Sequence, residues 1–257
     1  MDVESFVKST DARQRSQHLP AVIDSCDLLS LADLEQASAR VKSGAHWRIC
    51  LEATARTLLP MALKAKALLA EPIHSKGGLI WNLYKGRGCH ADRASYRGIL
   101  LSDELFKAVK KAQRVRLLPY AIAAFSKQQY GGLPGRGTDL AAHVVRTFIE
   151  FLKALGLCGG VIFVDAVSAF YCIIRQLVAP VETSDEEIAR LMASLQLPPS
   201  AMHALAEHLK EAPAVCQAGV EAHDSAFYAE ALSSNWLAAD GRSGWAQTRV
   251  GTRPGDT

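Results

Sequence analysis

A stretch of 21 residues, from position 154 to position 174, contains a single charged side chain, Asp165, and constrains the fold more than any other feature. Such an apolar segment is stable only inside a protein core or a membrane. A membrane span does not carry a carboxylate at its centre without a specific partner, and three glycines interrupt the stretch. The pattern instead predicts the end of a helix at Gly156 and a buried strand over residues 161–165.

The predicted strand ends in a carboxylate, which suggests two different roles for Asp165. We expect residues 161–165 to form a central strand of an antiparallel sheet, with Asp165 at an exposed cleft edge. A helix over residues 139–155, capped by Thr138 or Asp139, would pack behind it. A buried carboxylate is costly unless a cation binds it, and a hard divalent ion is one such cation. An Asp at a strand end is also typical of simple capping, so both roles remain open from the strand alone.

The N-terminal part of the chain has the apolar spacing of helices. Residues 30–70 are expected to form two or three helices, broken near Gly44 and Pro60. Ser30 is a candidate cap for the first helix, because Asp33 follows three residues later.

Glycines divide residues 77–100 into short apolar runs, which predicts two strands joined as a hairpin. Helical spacing returns over residues 102–126 and again over residues 184–232. Together these patterns predict an α+β fold. The four expected segments are a helical N-terminal region (1–70), a mixed segment that contains the hairpin (71–180), an acidic helical insert (181–245) and a short closing segment (246–257).

Charge is unevenly distributed along the chain, although the net charge is only +3. Residues 76–116 contain ten Lys or Arg and three Asp or Glu, which gives a net charge of +7. Residues 181–240 contain ten Asp or Glu and two Lys or Arg, which gives −8. A basic block attracts polyanions such as nucleic acids. A charge run is more often an ordinary solvated surface, so charge alone does not identify a binding site.

Four short blocks occur in a fixed order along the chain. They are KGRG at residues 85–88, YRGILL at 96–101, QYGGLPGRGT at 129–138 and FVDAVSAF at 163–170. This series resembles the fingers and early palm of reverse transcriptases, most closely those of non-LTR retrotransposons and group II introns. The sequence RVGTRPGDT at 249–257 resembles the next block of the same family.

The resemblance implies an RNA-directed DNA polymerase with fingers and a partial palm of a right-hand fold in residues 71–180. Such an enzyme would bind an RNA template, a DNA primer and a dNTP, would use Mg²⁺, and would have no membrane association. In it, Asp165 would be the catalytic and metal-binding carboxylate. The backbone carbonyl of Ala166 would supply a second oxygen at the nucleotide site.

Further contacts with nucleotide and template follow from the same resemblance. Lys85 and Arg97 would contact the triphosphate, because cations in the fingers neutralise it. Phe170 would lie under the sugar and exclude a 2′-hydroxyl, which favours DNA synthesis over RNA synthesis. Without the family, the two cations are typical surface charges and Phe170 is a typical core residue. The residues implied at the template are Gln129, Gly135 and Arg136.

The chain also departs from the family pattern. Gly98 stands where Pro is usual, Tyr171 where Asp often occurs, and Pro254 where Gln is usual. No Asp-Asp pair occurs in the 257 residues, so the family's Tyr/Phe-x-Asp-Asp hairpin is missing. We therefore expect an N-terminal part of such an enzyme that does not synthesise DNA by itself, because two-metal catalysis needs several carboxylates. The alternative is a non-catalytic nucleic-acid-binding or structural protein derived from a decayed retroelement.

Overall fold

The computed structural model describes residues 28–39, 51–165, 173–182, 184–239, 244–248 and 251. Within these residues the chain has nine α-helices and one four-stranded sheet, so the predicted α+β class is confirmed. In the same residues no helix is both long enough and apolar enough to cross a membrane. The helices are α1 (Leu31–Ala39), α2 (Leu51–Ala67), α3 (Glu104–Ala124), α4 (Thr138–Ala154), α5 (Arg175–Val178), α6 (Asp185–Leu195), α7 (Pro199–Lys210), α8 (Ala214–Gln217) and α9 (Ala222–Leu232). The strands are β1 (Gly77–Tyr84), β2 (Tyr96–Ser102), β3 (Asn235–Ala239) and β4 (Trp245–Thr248).

Helix α1 begins at the cap that the sequence predicts. The Ser30 N–H donates to the Asp33 carboxylate at 2.9 Å, and the Asp33 N–H donates to the Ser30 hydroxyl oxygen at 3.1 Å. Helices α1, α2 and α3 then enclose the main apolar core. The predicted break at Pro60 is wrong: α2 continues through Pro60, and the residues two positions before and after it are buried in the core. The predicted break near Gly44 lies outside the described residues.

The predicted hairpin is confirmed. Strands β1 and β2 pair antiparallel, from Gly78 opposite Ser102 to Tyr84 opposite Tyr96. The other neighbour of β1 is β3, which runs parallel to it, and β4 completes the sheet in the order β2-β1-β3-β4. Helices α6 to α9 lie within residues 184–232, where helical spacing was predicted, whereas β3 and β4 lie at the end of the segment that was predicted as a helical insert (181–245) and its junction. Strand β3 is too short to show a period in the sequence, and its pairing partner is distant in the chain.

The predicted strand over residues 161–165 is wrong. These residues have no regular secondary structure, and Ile162, Phe163 and Val164 are 89%, 85% and 91% exposed. Among the described residues no strand pairs with this segment, and the position beside β1 is occupied by β3. Asp165 therefore lies on an exposed, irregular part of the chain and not at the edge of a sheet.

Helix α4 is confirmed, but its first turn differs from the prediction. Gly137 is the N-cap and no side chain bonds to the free N–H groups there, so neither Thr138 nor Asp139 caps the helix. Gly156 follows the helix with a φ of 62°, a left-handed conformation that ends it as predicted. In the part of the chain that the structure describes, no side chain of α4 is buried. The expected packing of this helix behind a strand is therefore wrong as well.

A buried ionic cluster attaches α9 to α2 and α3. The Lys66 ammonium donates to the Asp224 carboxylate and to the Gln113 side-chain oxygen at 2.8 Å, and it lies 4.6 Å from the centroid of the Phe227 ring. Gln113 and Arg116 also donate to Asp224, at 3.1 and 3.2 Å. Burial raises the pKa of Asp224, but Lys66, Gln113 and Arg116 together outweigh burial and hold the pKa below its usual value.

A second buried pair positions the sheet. The Lys76 ammonium donates to Glu230 Oε1 at 2.5 Å and to the Ser233 hydroxyl oxygen at 3.2 Å. The same Glu230 oxygen accepts the Glu71 N–H at 3.3 Å. Lys76 immediately precedes β1, and Glu230 and Ser233 precede β3. The pair therefore fixes the start of β3 beside the start of β1.

Candidate nucleic-acid interface

Aromatic packing shapes the connection between β1 and β2. We call the two strands and this connection the basic hairpin (residues 77–102). The Tyr84 and His90 rings stack with centroids 4.0 Å apart, and Tyr96 packs against Tyr84 at 5.5 Å. The Tyr84 hydroxyl donates to the Gly88 carbonyl at 2.7 Å, and the Tyr96 hydroxyl donates to the His90 carbonyl at 3.0 Å. The two tyrosines therefore hold the connection in one conformation.

Four cations lie on the exposed surface of the basic hairpin: Lys85, Arg87, Arg93 and Arg97. The Lys85 ammonium donates to the Ala94 carbonyl at 2.7 Å, so this side chain is directed along the connection. Within the described residues, the three arginines form no salt bridge. The one acid in the basic hairpin is Asp92, whose carboxylate accepts the Ala94 N–H at 2.9 Å. The arginine charges are therefore not neutralised by neighbouring carboxylates.

The strands of the basic hairpin present two different faces, because successive side chains alternate. On one face Arg97 lies opposite Leu83. Trp81, which is 51% exposed, lies on the same face two residues before Leu83. This face is apolar and open, with a cation at its end. Its exposed large side chains are Leu79, Trp81, Leu83, Ile99 and Leu101.

The other face contains an open groove with a volume of about 430 Å³. Asn82 lies opposite Gly98, so the groove has no side chain on the β2 side at this position. In the described residues neither the Asn82 amide nor the Arg93 guanidinium makes a hydrogen bond, so both groups are available to a ligand. Ligand sites combine apolar walls with a few convergent polar groups. The lining residues are Ile80, Asn82, His90, Ala91, Arg93, Tyr96 and Ala239.

The loop over residues 126–137 is organised by Arg136. Its Nη1 donates to three main-chain carbonyls of residues 126–129, at distances from 3.1 to 3.4 Å. The Gln129 side-chain amide donates to the Gly131 carbonyl at 3.0 Å. Gly135 adopts a left-handed φ of 71° with open space around it. Arg136 and Gln129 thus have a structural role in folding the loop, and their predicted contact with a template stays a prediction.

Asp165 is exposed and forms no hydrogen bond or salt bridge with another described residue. Ala166 and Phe170, the two nucleotide-binding residues predicted beside it, lie outside the described residues. In the described ranges no three His, Cys, Asp or Glu side chains form a group that could hold a metal ion. A magnesium pair needs several oxygen ligands, and the predicted Mg²⁺ stays a prediction.

The predicted site residues fall into three separate places. Lys85 and Arg97 lie together on the basic hairpin, and Gln129, Gly135 and Arg136 lie together in the loop. No hydrogen bond or salt bridge between described residues joins these two places to each other or to Asp165. Sequence reasoning did not single out Asn82 and Arg93. The hairpin brings these residues to one groove. The one signal for this face in the sequence was the alternation of side chains along β1.

No family model, curated protein or solved structure matches this chain.

Proposed function

We propose that this chain is a reverse-transcriptase-type polypeptide whose basic hairpin binds the phosphate backbone of an RNA or RNA–DNA substrate. The observation that carries the proposal is the set of exposed arginines on the basic hairpin, none of which has an acidic partner among the described residues. Arginine is suited to this contact because its planar guanidinium can donate two hydrogen bonds to one phosphate.

Aromatic and polar groups beside these arginines support the same proposal. A base can stack on an exposed aromatic ring, and Trp81 lies on the same face as Arg97. The groove on the opposite face offers the Asn82 amide, the Arg93 guanidinium and the His90 and Tyr96 rings. This combination of cations and aromatic rings is typical of surfaces that bind single strands.

Charge reversal on the basic hairpin tests the proposal directly. Arg87, Arg93 and Arg97 are changed together to Glu, and Lys85 is retained because it bonds within the connection. Binding of a fluorescent single-stranded RNA is measured by anisotropy over a series of salt concentrations. We expect weaker binding and a shallower dependence of log K on log salt, by about 2, because three counterion-releasing contacts are lost.

The matched control is K153E/R190E/K210E, which changes the net charge by the same amount at exposed positions elsewhere. We expect this control to keep most of the affinity and the wild-type salt dependence. Equal losses in the two triple variants would mean that RNA responds only to net charge, and this result would refute an interface on the basic hairpin.

The second candidate function is a non-catalytic nucleic-acid-binding or structural protein derived from a retroelement. It is favoured by the exposed position of Asp165, which bonds to no other residue that the structure describes. The two candidates share the RNA interface and differ in the role of Asp165. Primer extension on an RNA template that is lost on Asp165→Ala would favour the polymerase. The sequence contains no Asp-Asp pair, which leads us to expect no synthesis by these 257 residues alone.

A further inference from the structure

The floor of the groove on the basic hairpin is open around the Asn82 amide. Asn82 pairs with Gly98, so the neighbouring strand has no side chain beside the amide. On the other side of β1, strand β3 pairs only as far as Ile80, which lies opposite Ala239. Among the described residues the Asn82 side chain is therefore beyond the end of β3, and it is exposed. The edge of a planar ligand can reach this amide.

Two aromatic rings, those of His90 and Tyr96, line the same groove. Tyr84 stacks on one face of the His90 ring with centroids 4.0 Å apart. The Tyr96 hydroxyl donates to the His90 carbonyl at 3.0 Å. Contacts within the hairpin thus hold both rings in place before a ligand binds. Rings held in this way are good stacking partners for a base, because little side-chain entropy is lost on binding.

The size and charge of the groove suit a single nucleotide. Its volume of about 430 Å³ lies within the range of about 300–1,000 Å³ that is usual for sites of small ligands. Arg93 lines the groove and supplies a cation for a phosphate. The carboxylate of the preceding Asp92 accepts the Ala94 N–H at 2.9 Å and forms no salt bridge with Arg93. The groove therefore offers a base and its phosphate separate polar partners.

The hydrogen-bonding pattern of Asn82 selects the base. A side-chain amide presents a donor, Nδ2, beside an acceptor, Oδ1. Adenine presents the complementary pair, the N6 amino group and the N7 acceptor, and asparagine forms two hydrogen bonds with this edge. Guanine has two acceptors, O6 and N7, at the corresponding positions, so Oδ1 would face another acceptor. In single-stranded RNA an unstacked base can turn into a protein site.

We propose that this groove binds one unpaired adenine of single-stranded RNA, with the Asn82 amide bonded to N6 and N7. The adenine ring stacks on the aromatic wall, and Arg93 contacts the adjoining phosphate. The inference rests on the proposed function, because the arginines of the basic hairpin hold the strand and the groove reads one of its bases. Phosphate contacts position a strand, whereas contacts to base edges give sequence preference.

The test changes one atom of the RNA and one side chain of the protein. Two oligonucleotides of about 12 nucleotides, a length typical of single-strand sites, contain either adenosine or 7-deazaadenosine, in which C–H replaces N7. Both have the same charge and the same Watson–Crick edge. Anisotropy measures their binding to wild type, to Asn82→Leu, which has no donor or acceptor, and to Gln247→Leu. Gln247→Leu is the matched control, because it removes an exposed amide from β4 of the same sheet.

We expect wild type and Gln247→Leu to bind the adenosine RNA about fivefold or more tightly than the deaza RNA, since one base edge loses its bidentate contact. Asn82→Leu should bind the two RNAs equally. Its dependence of log K on log salt should match that of wild type, because no phosphate contact is lost.

Equal binding of the two RNAs by wild type would overturn the adenine site, and this comparison needs no variant. A preference for the adenosine RNA that persists in Asn82→Leu would overturn it as well. Failure of the proposed function gives a different result. In that case R87E/R93E/R97E would bind both RNAs no more weakly than K153E/R190E/K210E does.

Discussion

At the residue scale, Lys66 and Asp224 show how this chain tolerates charge in its interior. Both side chains are almost fully buried, and each is a costly group to bury alone. The cost is offset because Gln113 and Arg116 also donate to the carboxylate, and because the ammonium faces the Phe227 ring. Removal of one partner would leave the other charge buried and uncompensated.

We predict that Asp224→Asn destabilises the fold by about 3–5 kcal/mol at pH 7, the usual cost of breaking one side of a buried pair. The folded pKa of Asp224 is lowered, so the stability that its charge contributes is present above the unfolded pKa of about 3.9. This contribution to stability is lost as the pH falls through the folded pKa of Asp224. The difference in unfolding free energy between wild type and variant should therefore shrink below about pH 4.

Urea denaturation followed by circular dichroism between about pH 2 and 7 measures this difference. The control is Glu207→Gln, which alters an exposed pair with Lys210 and should change stability little at any pH. A difference between Asp224→Asn and wild type that stays constant across the whole range would contradict the assigned charge on Asp224.

At the scale of elements, the basic hairpin depends on a close approach between β1 and β2. A Cβ atom at Gly78 would overlap the backbone carbonyl of Leu101, which belongs to the paired strand and cannot move aside alone. The absence of a side chain at Gly78 is therefore required for the register of the hairpin.

We predict that Gly78→Ala destabilises the protein by about 1–3 kcal/mol, as expected for overpacking at a rigid contact. Thermal unfolding gives the measurement. Gly160→Ala is the matched control, because its Cβ would meet no atom within 4 Å and the residue lies outside every helix and strand. If both variants unfolded at the wild-type temperature, the close contact between the two strands would be refuted.

The elements also show how much of the fold the sequence determines by itself. The hairpin and the helix α3 could be predicted because glycines, alternation and helical spacing are local signals. Strand β3 could not, because its five residues pair with β1 across most of the chain. The prediction of a strand at residues 161–165 was wrong because a local apolar run does not show whether strand pairing occurs. An apolar run becomes a strand only when it pairs with another strand, and among the described residues none of the four strands pairs with this segment.

At the scale of the whole molecule, buried ion pairs explain which charges remain available for binding. The basic block and the acidic segment partly neutralise each other, because Lys76 pairs with Glu230 and Arg116 pairs with Asp224. The arginines of the basic hairpin take no part in these pairs. The candidate site could therefore be located only roughly from the sequence. The count of charges identified the basic block, but only the structure shows which of its lysines and arginines form ion pairs.

Crosslinking shows directly whether RNA contacts the basic hairpin. Single-stranded RNA that contains 4-thiouridine is bound to the wild-type chain at low salt, irradiated, digested and mapped by mass spectrometry. We predict crosslinks to peptides from residues 77–102, at Trp81 or at the aromatic residues of the connection, with further crosslinks to the loop at 126–137. Crosslinks confined to the acidic helices of residues 185–232, or spread without preference over the chain, would contradict an RNA interface on the basic hairpin.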